Sequence, residues 1–400
     1  MVMKDHPRLP ALPTLCLSLL LVIASPAWTQ DPPADRNPSS SGTIALPEVM
    51  TGDFKSAYVI DAETGMELVA NKERVRRQPA SMLKMMTELL VLERVAEGDL
   101  AMDDPVRVSA KASRMGGSQV YLAHNEVFPV VELLQALAIH SANDAAAALA
   151  EHTAGSTEAF VDLMNLRARE LGMTDTDFHS VHGLPAGRGQ SPDMTSARDM
   201  ALLARELIRH PESLRWASTP RAPFRNGEFT LWNPNKLVGK YRGLDGLKTG
   251  FTQAAGFCVT ATAVQKEKRL ISVVMGCSTD RARANETTRL LSFSFNLYKR
   301  VPVIAEARQP LETLLKIKGG KVRETPVGCA ETLTVSVPRH RIDDIRMDYH
   351  LPEKLEAPLA AGTEVGTAVA TLDGHTLGEV TVVTLSDVLR GNWLDRIFHR

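Results

Sequence analysis

The chain has 400 residues, 44% of them apolar and 23% charged, which is enough for one large core or two domains. Lysine and arginine total 46 and aspartate and glutamate 47, so a net charge of −1 gives no electrostatic reason to expect nucleic acid as a partner.

Residues 1–27 read as a secretory signal peptide. Lys4 and Arg8 precede an apolar stretch from Leu12 to Ile23, and the small residues Ser25 and Ala27 are placed for cleavage after Ala27. The stretch is short for a full membrane span, and Cys16, preceded by Pro-Thr-Leu, does not suit a lipoprotein cleavage site. Residues 28–45, rich in Pro, Ser and Asp, read as a linker. "SAYVIDAETGMELVANKE" predicts two strands about a turn at Asp61–Gly65, and "PASMLKMMTELL" opens a helix. Residues 125–172 are helix-rich, with Gly155 placed to end a helix, and "SARDMALLARELIRH" is a further helix with Ser196 as N-cap.

Strands return at "GLKTGFT" and in a hairpin of "AGFCVTATAV" and "RLISVVMGC" about "QKEK"; "NETTRLLSFSFNLYKRV" then predicts a helix. The hairpin sets Cys258 opposite Met275, with Cys277 a diagonal neighbour roughly 7–8 Å away, too far for easy bridging. The mature chain keeps Cys258, Cys277 and Cys329. This odd, low count argues against a disulfide scaffold, and the three read as small buried apolar residues. Strands, helices and strands again over residues 46–305 predict an α+β domain with helices on an antiparallel sheet. Residues 306–384 hold short β runs broken by Gly and Pro, a small all-β domain. Residues 385–400 predict an amphipathic helix with Leu389, Trp393, Leu394, Ile397 and Phe398 on one face and Arg390, Arg396, His399 and Arg400 off it. Such a helix could dock on the β domain or lie on a membrane surface, and the second reading is preferred. Half-burial of five large apolar side chains, each worth about 1.5–3 kcal/mol when fully buried, binds an interface, aided by arginines near anionic lipid.

The chemistry starts at Ser81 and Lys84. Residues three apart share a helix face, so hydroxyl and amine can meet. A serine is a weak nucleophile until a base takes its proton. Lysine, with a free pKa of about 10.4, can be that base only if burial or a second cation strips its own proton. Helix-start N–H groups beside the serine can face developing negative charge. Ser-x-x-Lys alone arises roughly once or twice by chance in such a chain. It is followed in order by Ser141-Ala142-Asn143 in a helical region and by Lys248-Thr249-Gly250 on a strand, a triplet expected by chance on the order of a tenth of a time. The ordered set is the strong signal. Ser294-Phe295-Asn296, a second Ser-x-Asn, lies in an apolar helix without such company.

These motifs resemble those of penicillin-binding proteins and class A β-lactamases. "YVIDAETGMELVANKE", "HSANDAAAALAE", "VHGLP", "SARDM" and "DGLKTGFTQAAGF" are most similar to the low-molecular-mass penicillin-binding proteins that are serine-type D-alanyl-D-alanine carboxypeptidases, over essentially the whole mature chain. The resemblance implies a β-lactamase/transpeptidase-like α+β fold and a hydrolase that removes the terminal D-alanine from peptidoglycan stem pentapeptides. It implies β-lactams as covalent inhibitors and calls for no cofactor and no metal. It also implies secretion across the inner membrane and peripheral attachment to its periplasmic surface through the C-terminal helix. By position, Ser81 is the acylated nucleophile and Lys84 its base; Ser141 relays a proton to the leaving amine and Asn143 holds the substrate amide. Lys248 supplies positive field that keeps Lys84 neutral, and Thr249 and Arg283 bind the terminal carboxylate. Gly250 lets a substrate strand lie against the edge strand, and the N–H groups of Ser81 and Phe251 form the oxyanion hole.

Two positions depart from the family: Phe251 stands where a histidine is frequent, and Pro234 where an Asn-Arg-Asn triplet has its arginine. Both bear on deacylation and substrate preference. "GGSQVYL", Gly116–Leu122, reads equally as a loop at the site or a plain surface loop. His179 and His182 have metal-like spacing but no further ligands nearby, so a structural role is preferred, with His182 packed beneath the site. A β-lactamase and a non-catalytic wall-binding scaffold of the same fold are the rivals. Ala142 replaces the aspartate of the class A Ser-Asp-Asn, and no clear glutamate loop is present.

Overall fold

The computed structural model describes residues 51–392; the expected signal peptide, the linker and residues 393–400 lie outside the described residues. β1 (Ser56–Asp61) and β2 (Glu67–Asn71) pair about the expected turn, where Asp61 Oδ1 accepts the N–H of Glu63 at 3.0 Å and of Thr64 at 3.1 Å. A 3₁₀ turn at Ala80–Leu83 leads into α1 (Lys84–Glu97). A short ribbon of β3 (Pro105–Arg107) and β4 (Val127–Pro129) precedes α2 (Val130–Gln135), α3 (Asn143–Ala154) and α4 (Thr157–Glu170). Gly155 caps α3 as expected, with φ 79°. Next come α5 (Ala197–Leu207) and α6 (Pro211–Ala217). Ser196 caps α5, its side chain accepting from Asp199 N at 3.1 Å. A second ribbon, β5 (Arg221–Phe224) with β6 (Phe229–Trp232), leads to β7 (Leu244–Thr252), β8 (Gly256–Gln265), β9 (Lys268–Cys277) and α7 (Asp280–Leu297).

The main sheet is antiparallel, in the order β2-β1-β9-β8-β7. Its central strands β8 and β9 are apolar on both faces because helices cover both. Cys258, Ile271, Val273 and Met275 pack into the core beneath α1, α3 and α5. Val259, Ala261, Leu270 and Val274 pack against Leu290, Leu291 and Phe295 of α7. α3 crosses the middle of the first core with Ala145–Ala150 buried; small side chains let it run close to its neighbours.

The hairpin keeps the expected register from Val259–Val274 to Gln265–Lys268 and departs from it only at the end beyond Val274. Cys277 lies opposite Phe257, and the shift before the Val259–Val274 pair puts two residues, Met275 and Gly276, against Cys258. Gly276 takes φ 76°, a conformation that admits the bulge. Cys258 and Cys277 consequently face opposite sides of the sheet; with Cys329 they are buried free thiols, as read from the sequence.

The expected last helix ends at Leu297, earlier than the pattern suggested. β10 (Tyr298–Ile304) pairs with β13 (Leu333–Pro338), because Lys299, Arg300 and Pro302 break the apolar helical stripe and suit an edge strand. The remaining strands are β11 (Pro310–Lys318), β12 (Glu324–Cys329), β14 (Arg346–His350), β15 (Lys354–Glu356), β16 (Glu364–Leu372) and β17 (His375–Thr384), in the order β14-β16-β17-β12-β11-β15. This is the all-β unit expected. A helix starting at residue 385 is corrected: Leu385–Asn392 is extended or bent chain, with Val388 bridged to Leu359 and Arg390 to Gly320. Val388 is buried, so the β unit claims this stretch before any helix can begin. Among the described residues no helix is long and apolar enough to cross a membrane.

Candidate active site

Ser81 sits in the 3₁₀ turn ahead of α1, so it and Lys84 are three apart across the junction of two helical segments. The turn is clamped by two glycines. A Cβ on Gly250 of β7 would lie 2.6 Å from Pro79 O and 3.1 Å from Ser81 N, and one on Gly183 (φ 78°) 2.1 Å from Ala80 O. Ala80 itself takes φ 49°, a conformation that L residues rarely adopt. Only residues without a side chain let both chains press the serine into place.

The Lys84 ammonium position is fully buried. Nζ lies 2.9 Å from Ser81 Oγ, 3.4 Å from Ser141 Oγ and 3.0 Å from His182 O. Burial, then the charge of Lys248, holds its pKa well below the ordinary lysine range, against a smaller opposing pull from Asp144. His182 is pushed down to about 4, chiefly by burial, so it is neutral, and its Nδ1 accepts Leu184 N at 3.1 Å. Its carbonyl reaches Lys84 beneath the site as expected, while His182 also lines a separate cavity with His179 and Asp193. His179 belongs to a loop whose backbone Asp193 holds, accepting His179 N at 2.6 Å and Ser180 N at 2.9 Å. No group of three or more metal-ligating side chains occurs among the described residues.

Ser141 is not inside a helix. It ends a π turn, Ala136–His140, with φ 67°, and α3 starts at Asn143. This left-handed step brings Ser141 Oγ to Lys84. Asn143 Nδ2 donates to Gly116 O at 2.6 Å, its N to Ser118 O at 2.7 Å, while its Oδ1 is buried and meets no donor among the described residues. The next residue, Asp144, accepts Val120 N and Leu122 N at 3.0–3.2 Å. Asn143 and Asp144 together pin the Gly116–Leu122 loop against the site, so the site reading of that loop holds over the plain surface one.

Lys248, Thr249 and Gly250 lie on the edge strand β7 as expected, Lys248 2% exposed with Nζ 3.4 Å from Thr249 O. Arg283 of α7 is buried, paired with Asp280, and donates to Cys258 O at 3.3 Å. Ser81, Ser118, Ser141, Thr249, Gly250 and Arg283 share the wall of one cavity of about 440 Å³. Phe251, half exposed, stacks on Phe257 with centroids 4.2 Å apart, and exposed Trp232 completes an aromatic rim. Pro234 also lines it; beside it Lys236 pairs with Asp280 at 2.5 Å, leaving a cation on this rim although the family's arginine is absent.

Two residues here carry no motif. His140 lines the cavity and its Nδ1 accepts Trp232 N at 3.0 Å. Glu88 is buried on α1 one turn beyond Lys84. The signal for Glu88 was periodicity: it falls on the stripe of Ser81, Lys84 and Met85 that faces the core.

The arrangement is a serine oxygen within reach of a buried amine held well below the ordinary lysine range, flanked by a second hydroxyl, an unsatisfied amide oxygen, a buried arginine and a second buried lysine that burial lowers to about 7. That set suits acyl transfer. Residues 45–279 match the peptidase family described as D-alanyl-D-alanine carboxypeptidase, and residues 299–390 match the penicillin-binding protein 5 C-terminal domain. D-alanyl-D-alanine carboxypeptidase DacF of Bacillus subtilis (strain 168) is 35% identical over 346 residues, covering 86% of this chain and 87% of the relative. DacC of Escherichia coli (strain K12) is 34% identical, covering 89% and 88%. The structure of penicillin-binding protein 5 from Haemophilus influenzae superposes with a TM-score of 0.77 at 29% identity, covering 87% of this chain and all of that one. A Listeria monocytogenes penicillin-binding protein D2, solved in its ampicillin-bound form, covers 61% of this chain at 33% identity and a TM-score of 0.56. With a family match over most of the first domain and relatives above 30% identity along nearly the whole chain, this protein belongs to the D-alanyl-D-alanine carboxypeptidase family.

Proposed function

We propose that the protein removes the terminal D-alanine from peptidoglycan stem pentapeptides through an acyl-enzyme on Ser81, and that β-lactams acylate the same oxygen. The observation that carries this reading is Lys84 Nζ, buried and pushed toward its neutral form, 2.9 Å from Ser81 Oγ. Neutral Lys84 takes the Ser81 proton as Oγ attacks the penultimate D-alanine carbonyl, and the oxyanion turns to the N–H groups of Ser81 and Phe251. Ser141 passes the proton from Lys84 to the departing D-alanine nitrogen. Asn143 Oδ1 accepts the substrate amide N–H, Thr249 and Arg283 hold the terminal carboxylate, and Gly250 admits the substrate strand beside β7. Water then hydrolyses the ester. In this reading residues 46–305 carry the chemistry, and the β unit after them does not.

Fluorescent penicillin should label the protein, with the adduct mapping by mass to the peptide holding Ser81, and a diacetyl-lysyl-D-Ala-D-Ala peptide should release free D-alanine. A folded sample that neither labels nor releases D-alanine sinks the reading and leaves the scaffold. Sustained nitrocefin turnover would favour the β-lactamase.

We also infer that residues 1–27 direct export to the periplasm and that residues 393–400 attach the protein to the inner membrane. Trp393, Leu394, Ile397 and Phe398 among Arg396 and Arg400 support this. Full-length chain should co-sediment with anionic vesicles and a chain ending at residue 392 should not; equal binding contradicts it.

A further inference from the structure

Arg283 does not face the cavity as a free cation. Its guanidinium is held from three sides: Nη2 pairs with Asp280 Oδ1, Nη1 donates to Cys258 O at 3.3 Å, and Cζ lies 5.9 Å from the Phe257 ring centroid. Asp280 lines the same cavity, so arginine and aspartate together bring no net charge to a ligand there. Among the described residues the other ionisable side chains on that wall are His140 and Lys236. His140 is held below the ordinary histidine range, chiefly by burial, and is uncharged near neutrality. The net positive charge of the wall is therefore that of Lys236. Its Nζ meets Asp280 Oδ2, the oxygen not paired with Arg283, at 2.5 Å, and its side chain is 69% exposed. An ammonium has three donors, so it can hold Asp280 and a ligand at once. The arm rises from a fixed base. Asn233 Nδ2 donates to Ala217 O at 2.8 Å and to Thr219 O at 3.1 Å, and its Oδ1 accepts Asn235 N at 2.9 Å. Buried Asn235 in turn accepts Leu237 N at 3.2 Å.

We propose that Lys236 is a specificity-determining residue: anchored on Asp280, it is the second cation that, with Arg283 and Thr249, selects peptides ending in a free carboxylate. The inference deepens the proposed roles of Thr249 and Arg283 and rests on them. Asp280 has two parts in it. Its Oδ1 fixes Arg283 and its Oδ2 collects Lys236, so both cations converge on one end of the cavity. The charge of Asp280 itself opposes an incoming carboxylate, and Lys236 offsets it. Without the lysine, a substrate carboxylate meets an arginine already neutralised by its partner and an aspartate oxygen that repels it.

The test compares diacetyl-lysyl-D-Ala-D-Ala with the same peptide ending in an amide, from which D-alaninamide leaves. In the full chain, Lys236→Met should lower kcat/KM for the acid about two- to fivefold, mainly through KM, the range of an exposed ion pair. The amide offers no charge and should change less, so the acid-to-amide ratio falls. Lys236→Glu should push the ratio lower still, and Lys236→Arg should return it toward wild type. Added salt should slow cleavage of the acid by the wild type and matter less in Lys236→Met, where the screened attraction is gone. If the amide is cut too slowly to measure, this salt dependence decides by itself. Because Lys236 is exposed, loss of its charge leaves the fold intact, and unchanged thermal midpoints check this. A wild-type ratio in Lys236→Met, or an equal loss on both peptides with the salt dependence unmoved, overturns the proposal and leaves Lys236 a surface lysine or a prop for its loop. Failure of the underlying reading looks different, since the wild type would then cleave neither peptide.

Discussion

Replacing Ser81 by alanine is expected to lower D-alanine release by about 10⁴–10⁶-fold and to abolish covalent penicillin labelling, because it removes the atom proposed to form the ester. Lys84→Met, which keeps the length of the buried stem and removes the amine, should lose activity on the same scale. Ser81 Oγ and Lys84 Nζ lie 2.9 Å apart and act as one unit, so the double variant should be little worse than either single one. Losses that multiply would mean the two contribute independently. Thermal midpoints of the variants should show that each is folded. Lys84→Met removes an amine held in a site that disfavours its charge, so it need not be the less stable protein.

Gly250→Val should cost about 10²–10³-fold in acylation, the scale of losing one oxyanion donor. The geometry leaves no room for a side chain: the first carbon alone would sit 2.6 Å from Pro79 O and 3.1 Å from Ser81 N. Either the turn carrying Ser81 retreats, taking its N–H away from the developing oxyanion, or β7 withdraws with Thr249 and Phe251. Both routes impair chemistry more than binding of a distant group, so kcat should fall. A valine variant with wild-type acylation would mean that β7 and the Ser81 turn are not held together as described.

What the sequence disclosed and what it hid follow from the kind of contact involved. Ser81 and Lys84 were legible because they are local, three apart on a helical path, and Lys248 because a strand carries its motif intact. The capping of α5 by Ser196 and the β1–β2 turn were legible for the same reason. Ser141 was placed near the site but not in its conformation; the left-handed step after a π turn has no residue signature, since serine does not favour it. Gly183 passed unnoticed because its use, pressing on Ala80 O, exists only once two distant segments meet. Counting gave the hairpin register from Val259–Val274 to Gln265–Lys268, and only the bulge at Gly276, which turns Cys277 to the other face, escaped it. Glu88 was hidden by its type, since glutamate on a helix ordinarily faces water, although its spacing from Lys84 marked it as inward. The start of the tail, residues 385–392, was misread because its apolar residues fit a helical face as well as an extended segment bridged to the β unit at Val388 and Arg390.

The proposed chemistry requires Lys84 to be uncharged where it meets Ser81. The most direct test is the wild-type rate of Ser81 acylation by a β-lactam, followed from about pH 5 to about pH 10 against the ordinary lysine value of about 10.4. A base works only above its own pKa, and burial and Lys248 lower that pKa. Acylation should therefore already be fast near neutrality, with an acid limb far below the ordinary lysine range and a decline that sets in above about pH 7, where Lys248, lowered to about 7 by burial, loses its charge. A rate that climbs about tenfold per pH unit through neutrality toward that value would show that Lys84 keeps its proton like a free lysine, and would contradict the mechanism.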